Sequence, residues 1–196
     1  MLSLKNSLKV LKKTNALLEG HFILSSGLHS PNYIQCAKVL SYPHLAHKLC
    51  NSLGKKIKKR FKKIDLILAP AVGGIVIGYE IGRLLKVETI FAERVKGKFT
   101  LRRGFNIKKK SKVLIIEDVI TTGGSSIECS QLVKESDAKL LGFASLIDRS
   151  EKKKLKIKKS KIVSQIKIKV PAYNNKNIPD DLKKVPITIP GSRYLK

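Results

Sequence analysis

Residues 113–126 read VLIIEDVITTGGSS: an apolar run enters Glu117 and Asp118, Val119 and Ile120 follow, and the stretch closes on Thr121, Thr122, Gly123, Gly124, Ser125 and Ser126. The closing half suits an anion. Its glycines let a ligand approach the backbone, and a turn that feeds a helix offers unpaired N–H groups at the positive end of the helix dipole. Thr121, Thr122, Ser125 and Ser126 add hydroxyl donors. The acid pair has the opposite preference: carboxylates repel phosphate, accept hydrogen bonds from sugar hydroxyls and can help hold Mg²⁺ through water. A phosphorylated sugar satisfies both halves. The alternative, an acid pair capping a helix beside an ordinary glycine turn, would leave two carboxylates at the end of a buried strand without partners, which is costly. The loop lacks the GxxxxGK[ST] spacing and its Lys, so it is not a nucleoside-triphosphatase P-loop.

Such a loop needs a scaffold that ends several strands in one place. IDLILAP (64–70), ETIFAE (88–93), KVLIIED (112–118) and KLLGFASLID (139–148) are short, nearly continuous apolar runs, the pattern of strands covered on both faces. GGIVIGYEIGRLL (73–85) reads as a helix whose Gly74, Gly78 and Gly82 offer a smooth face to a sheet, and 125–136 reads as a second helix with Ile127, Cys129, Leu132 and Val133 apolar. The alternation predicts an α/β fold with a mostly parallel central sheet flanked by helices. Upstream, Leu4, Leu8 and Leu11 predict a helix over 2–18 ending near Gly20, residues 21–40 two short strands around a Ser-Gly turn, and Pro43 the start of a helix striped by Leu45, Leu49, Leu53 and Ile57. From residue 160 the pattern is one strand, then irregular wrapping around Pro171, Pro179, Pro186 and Pro190. Ligands of open parallel sheets bind beyond the carboxyl ends of the strands, where PAVGGI, RVKGKFTLRRGF, VITTGGSS and RSE all fall.

The chain has 196 residues, 42% of them hydrophobic, which fits one domain of ordinary size. Cys36, Cys50 and Cys129 are widely spaced and outside any CxxC pattern; they read as buried hydrophobes in a reducing compartment. No segment has the length and apolarity of a membrane span or signal peptide, so a soluble, cytoplasmic protein is expected. The 41 Lys and Arg against 14 Asp and Glu give +27, concentrated in KKIKKRFKK (55–63), KKKSK (108–112) and KKKLKIKKSK (152–161). Clustered Lys attracts phosphate. These runs are mostly Lys, lie where helices end and loops begin, and carry a single aromatic, Phe61, too few for a base-stacking surface, which argues against nucleic acid as the primary partner. His21, His29, His44 and His47 stand in no HExxH or triad context and read as satisfied or exposed histidines.

Residues 113–125 resemble the phosphoribosyl diphosphate (PRPP) signature of the type I phosphoribosyltransferases, in which apolar run, acid pair and hydroxyl-glycine loop occur in this order and spacing. More of the chain is similar to the orotate-using members. GHFILSSGLHSPNYIQCA (20–37) resembles their N-terminal hood, APAVGGI (69–75) their diphosphate loop, and ERVKGKFTLRRGF (93–105) their mobile catalytic loop. LIDRS (146–150) resembles the segment with the orotate-binding Arg, and PGSR (190–193) a common ending. The chain departs from many members at Ser25 and Gly73, where those carry Lys, at Val95 after Arg94, and in having no His in the mobile loop.

The resemblance implies a single phosphoribosyltransferase domain over 1–196, with a hood formed by about 1–40 and the tail. It implies Mg²⁺-dependent transfer of 5-phosphoribosyl from PRPP to orotate, giving orotidine 5′-monophosphate and diphosphate in pyrimidine synthesis. PRPP would meet Glu117, Asp118, Val119, Ile120, Thr121, Thr122, Gly123, Gly124, Ser125, Arg94, Lys98 and Gly73; orotate would meet Thr121, Arg149 and Ser25. Asp118, Arg94 and Lys98 are the implied catalytic residues, with Arg102 and Arg103 as further loop cations for the leaving diphosphate and closure of 94–105 to exclude water. No residue is assigned as a direct metal ligand, because Mg²⁺ would ride on the diphosphate and water. A homodimer with shared active sites is also implied. Two other readings stay open: transfer to a purine or to uracil, and a PRPP-sensing regulator that binds nucleic acid through its Lys runs.

Overall fold

The structure is a computed structural model that describes residues 1–190 apart from 25 and 152, so Ser25 and 191–193 of the PGSR segment lie outside the described residues. Helix α1 (Leu4–Lys13) is N-capped by Ser3, whose Oγ accepts from the Asn6 N–H. It stops well short of the predicted residue 18, because Asn15 takes φ 51° and turns the chain into strand β1 (Leu17–Ile23), which contains Gly20. Strand β2 (His29–Ile34) pairs antiparallel with β1, and residues predicted to finish a strand instead form a short helix, α2 (Cys36–Leu40). Pro43 opens α3 (Pro43–Arg60) at its first turn, where the missing N–H costs nothing.

Strand β3 (Leu66–Pro70), helix α4 (Gly73–Leu85), strand β4 (Glu88–Val95), strand β6 (Lys112–Ile120), helix α5 (Gly124–Glu135) and strands β7 (Lys139–Asp148) and β8 (Ile162–Lys167) follow as the apolar runs predict. With one more strand, β5 (Lys98–Leu101), the sheet has six in the order β5-β4-β3-β6-β7-β8, parallel throughout except at one edge. That edge corrects an expectation. Residues 94–105 are not a free loop: β5 (Lys98–Leu101) folds back on β4 with Val95 opposite Lys98, around Lys96 and Gly97 at φ 50° and 82°. Two positive φ values suit the tight turn of a two-residue hairpin.

The continuous apolarity of the strands has its cause in the packing. Ile67, Leu114 and Ile116 join the core under α3 and α4, while Leu66, Leu68, Val113 and Ile115 join the core that contains Cys129 and Val133 of α5. Successive side chains alternate between faces, and both faces are covered. Helix α4 lies close on the sheet because of its glycines: a Cβ at Gly78 would stand 2.9 Å from the Ala69 Cβ.

A second, three-stranded sheet, β2-β1-β9, sits at the N-terminal side, with β9 (Ile187–Thr188) brought back from the tail after helix α6 (Asp180–Lys183). Buried His21 and His29 tie it together: their ring nitrogens are 2.6 Å apart, and His21 Nδ1 is 3.3 Å from the Val185 carbonyl oxygen. No helix is long and apolar enough to cross a membrane among the described residues.

Candidate active site

Strand alternation divides the acid pair. Glu117 continues the Val113–Ile115 face toward α5, where its Oε1 accepts from Ser126 Oγ at 2.9 Å, and Asp118 turns to the opposite face, against the start of α4. Asp118 Oδ1 accepts from the Val119 N–H at 2.8 Å, and a Cβ on Gly73 would lie 2.8 Å from Asp118 Oδ2. Gly73 thus leaves room for that carboxylate. Glu117 is only 8% exposed, and burial, reinforced by the Asp118 charge, pushes its pKa up to about 7 against the pull of the Ser126 hydrogen bond. Burial also raises Asp118. The predicted hydroxyl set is corrected at one position, since the buried Ser126 hydroxyl is engaged by Glu117.

Beyond the acids the chain forms a cradle of about 220 Å³, walled by 119–126 with Glu117 and Glu128 at its sides. Gly123, at φ 75°, is the N-cap of α5, so the free N–H groups of the first helical turn open into it. Thr121, Thr122, Gly124 and Ser125 complete the wall.

Thr121 and Thr122 also line a second, larger cavity of about 450 Å³, whose other walls include Leu24, Leu28, Arg149 and Val170. Arg149 follows the end of β7, and its backbone N–H donates to the Ile120 carbonyl, which fixes it beside the cradle. Its side chain is half-buried, and burial lowers its pKa below the ordinary value. The acids on either side are engaged elsewhere: Asp148 Oδ1 accepts from the Ser150 N–H, and Glu151 pairs with Lys154 at 2.9 Å. Among the described residues no carboxylate pairs with Arg149. Sequence reasoning missed Leu24, Leu28, Val170 and Ala172 as walls of this cavity. Only the return of the tail over the hood brings them together, and no local pattern encodes that return.

The loop cations stand apart. Arg94 pairs with Glu128 at 2.8 Å and lies over the Phe99 ring, 4.1 Å from its centre; Glu128 is the link between this hairpin and the cradle. Arg103 pairs with Glu93 at 2.9 Å, and Arg102 lies 3.9 Å from the same carboxylate. Lys98 is exposed at the start of β5 and has no ion pair among the described residues. The expectation of four free cations therefore narrows to Lys98, with Arg94 available once Glu128 releases it. Tyr33 packs on Phe22 with ring centres 5.8 Å apart. Among the described residues no three His, Cys, Asp or Glu side chains converge as a metal site.

The phosphoribosyl transferase domain family matches residues 42–178. An orotate phosphoribosyltransferase of Parvibaculum lavamentivorans is 46% identical over 189 residues, 96% of either chain, and one of Caldicellulosiruptor bescii is 43% identical over 191 residues, 95% of this chain and 96% of the relative. The chain belongs to the orotate phosphoribosyltransferase family. Among solved structures, the orotate phosphoribosyltransferase of Aeropyrum pernix superposes with TM-score 0.70 at 22% identity, covering 82% of this chain and 92% of that one. An adenine phosphoribosyltransferase from Leishmania tarentolae superposes at 0.61 and 18% identity, covering 85% and 89%. The α/β fold with its mostly parallel sheet is thus common to phosphoribosyltransferases named for different bases, and base choice within the orotate phosphoribosyltransferase family must come from side chains.

Proposed function

We propose that this chain transfers the 5-phosphoribosyl group of PRPP to orotate. The observation that carries this reading is the half-buried, unpaired Arg149 in one cavity with Thr121, opening through Thr121 and Thr122 onto the phosphate cradle. A guanidinium that no carboxylate pairs with, in a pocket walled by Leu24, Leu28, Val170 and Ala172 and by the polar Ser26, Glu151 and Lys154, suits a planar carboxylate, which it can bind through two parallel hydrogen bonds. Orotate has that carboxylate; uracil does not. Thr121 can donate to or accept from the base at the point where the cavities meet.

In the proposed reaction the 5-phosphate lies in the cradle against the N–H groups and hydroxyls of 121–125, and the ribose hydroxyls donate to Glu117 and Asp118. The bond from ribose C1 to the diphosphate oxygen breaks with both electrons leaving on oxygen. A base nitrogen forms the new bond to C1 and its proton goes to solvent. Positive charge grows on the ribose and negative charge on the leaving group, so Lys98, and Arg94 after exchange of Glu128 for diphosphate, stabilise the departing oxygens. Gly73 keeps the backbone close to Asp118 and the diphosphate. The cradle is walled by hydroxyls and amides with Glu117 and Glu128 at its sides, and Asp118 lies at the start of α4; a Mg²⁺ brought in with PRPP would be held there by Glu117 and Asp118 through water. When bound, Mg²⁺ would neutralise diphosphate charge.

We further propose a homodimer. Val72, Val76 and Tyr79 form an apolar stripe at the start of α4, 82%, 52% and 68% exposed, next to Gly73. A large apolar stripe beside the catalytic cleft suits a second copy of the chain.

Incubation with PRPP, Mg²⁺ and a panel of orotate, uracil, adenine, guanine and hypoxanthine tests the reading. Consumption of orotate alone is expected. Use of uracil or a purine in its place would reassign the base, and consumption of none would favour a PRPP-binding regulator.

A further inference from the structure

The run KKKLKIKKSK has no role in the reaction above and looks in sequence like a solvated basic tract. In the fold, part of it turns inward. Ile157 is 6% exposed and joins the core cluster of Ile120 and Cys129, with Leu155 packed against the same cluster. The Lys156 backbone N–H donates to the Thr122 carbonyl at 2.9 Å. A Cβ built on Gly123 would lie 2.5 Å from Ile157 Cδ1 and 2.6 Å from its Cγ1, so this side chain occupies the space that the missing Cβ leaves.

We infer that segment 155–157 is the back wall of the phosphate cradle, with Ile157 a positioning residue that holds Gly123, and through it the first N–H groups of α5, in their anion-binding geometry. The physical need is clear. Gly123 sits at φ 75° and, as a glycine, has many other conformations within reach. A loop that must present its N–H groups to phosphate gains affinity when those alternatives are removed before binding. Ile157 removes them from one side by packing, and the Lys156 N–H removes them on the adjoining peptide by holding the Thr122 carbonyl. The lysines around Ile157 stay in solvent, and the apolar positions of the run carry the contact.

This inference rests on the proposed PRPP site, and two readouts separate the failure of one from the failure of the other. The first needs no ligand: amide hydrogen exchange over 121–126. Ile157→Ala is expected to speed exchange there, while Ile157→Leu, which keeps a branched side chain of the same size, stays near wild type. Val133→Ala, which opens the same core cluster at the far end of α5, should lower the melting temperature without touching exchange at 121–126. The second readout is calorimetric binding of PRPP with Mg²⁺, in which Ile157→Ala is expected to lose about tenfold in affinity and Ile157→Leu to recover most of it. The KM for orotate at saturating PRPP should change by less than about twofold. Unchanged exchange at 121–126 in Ile157→Ala, or an equal change in Val133→Ala, would overturn the positioning role. Altered exchange in Ile157→Ala with no PRPP binding by the wild type would uphold it and overturn PRPP as the ligand.

Discussion

Ser126 Oγ donates a 2.9 Å hydrogen bond to Glu117 Oε1 between two buried side chains, so a hydroxyl from the first turn of α5 is fastened to a carboxylate at the end of β6. The bond fixes the helix that supplies the cradle, and it keeps an acid in a place where ionisation is unfavourable.

The first prediction follows from that cost. Burial raises the Glu117 pKa from 4.5 to about 7, so the folded chain binds this proton more tightly than the unfolded chain does. The contribution to stability is therefore complete below the ordinary value of 4.5 and is lost as pH rises through about 7. Glu117→Gln keeps an oxygen for Ser126 and never ionises. It is expected to stabilise the fold by roughly 1–3 kcal/mol at pH 8 and by much less at pH 5, while lowering kcat/KM for PRPP, because an amide N–H₂ faces a ribose hydroxyl that needs an acceptor. Melting curves at both pH values decide it: a variant that melts lower than wild type at pH 8 contradicts the argument.

Gly73 and Asp118 give the second prediction. A methyl group at Gly73 would come within 2.8–2.9 Å of the Asp118 carboxylate, the end of a short side chain that must shift to make room. Gly73→Ala is therefore expected to raise the KM for PRPP several-fold, roughly 1 kcal/mol. Asp118→Asn should show a larger loss of the same kind, with charge-assisted hydrogen bonds worth about 1.5–3 kcal/mol at stake. Steady-state kinetics at sub-saturating PRPP test both, and unchanged turnover in Asp118→Asn would remove this carboxylate from ribose binding.

The parallel sheet, the two helices that flank its centre and the cradle were legible because their causes are local. Strands covered on both faces must be apolar at every position, as 66–68 and 113–116 are, and a glycine-hydroxyl stretch after such a strand marks the turn into a helix. The separation of Glu117 and Asp118 onto opposite faces follows from strand alternation and could have been read, but adjacency in sequence suggests a pair acting on one side. The engagement of Arg94 by Glu128 and of Arg103 by Glu93 was not readable, since those contacts depend on how a hairpin edge lies over α5 and on itself. Ile157 was hidden for the same reason: one apolar residue among lysines has no periodicity, and its partner is a glycine more than thirty positions earlier.

Arg149 carries the third prediction. Its neighbours Asp148 and Glu151 are held by the Ser150 N–H and Lys154, which removes the simplest alternative, a surface ion pair of little energetic value. Arg149→Ala is expected to lower kcat/KM for orotate by roughly 30–1000-fold, about 2–4 kcal/mol, while PRPP binding stays near wild type. Arg149→Lys should recover only part of the loss, because an ammonium cannot make the paired planar contact. Equal losses for both substrates would place Arg149 in general packing, and no loss for orotate would end its role in recognition.

The fourth prediction concerns Lys98 and the proposed dimer. Among the five cations of 94–103, Arg94 is held by Glu128 and Arg102 and Arg103 lie on Glu93, which leaves Lys96, in the hairpin turn, and Lys98, on the strand, without an ion pair among the described residues. Lys98 stands exposed on the hairpin at the edge of the sheet, a position open to a neighbouring subunit. The shared-site reading predicts that Lys98→Ala and Asp118→Asn, each nearly inactive alone, regain activity when mixed, because one of the two sites in each mixed dimer then has both groups intact. Random exchange makes half of all dimers mixed, so recovery approaches about one quarter of wild-type activity per subunit. Exchange is followed separately with differently tagged subunits. Demonstrated exchange with activity still at the level of the parents would place Lys98 and Asp118 in the same protomer's site and refute sharing.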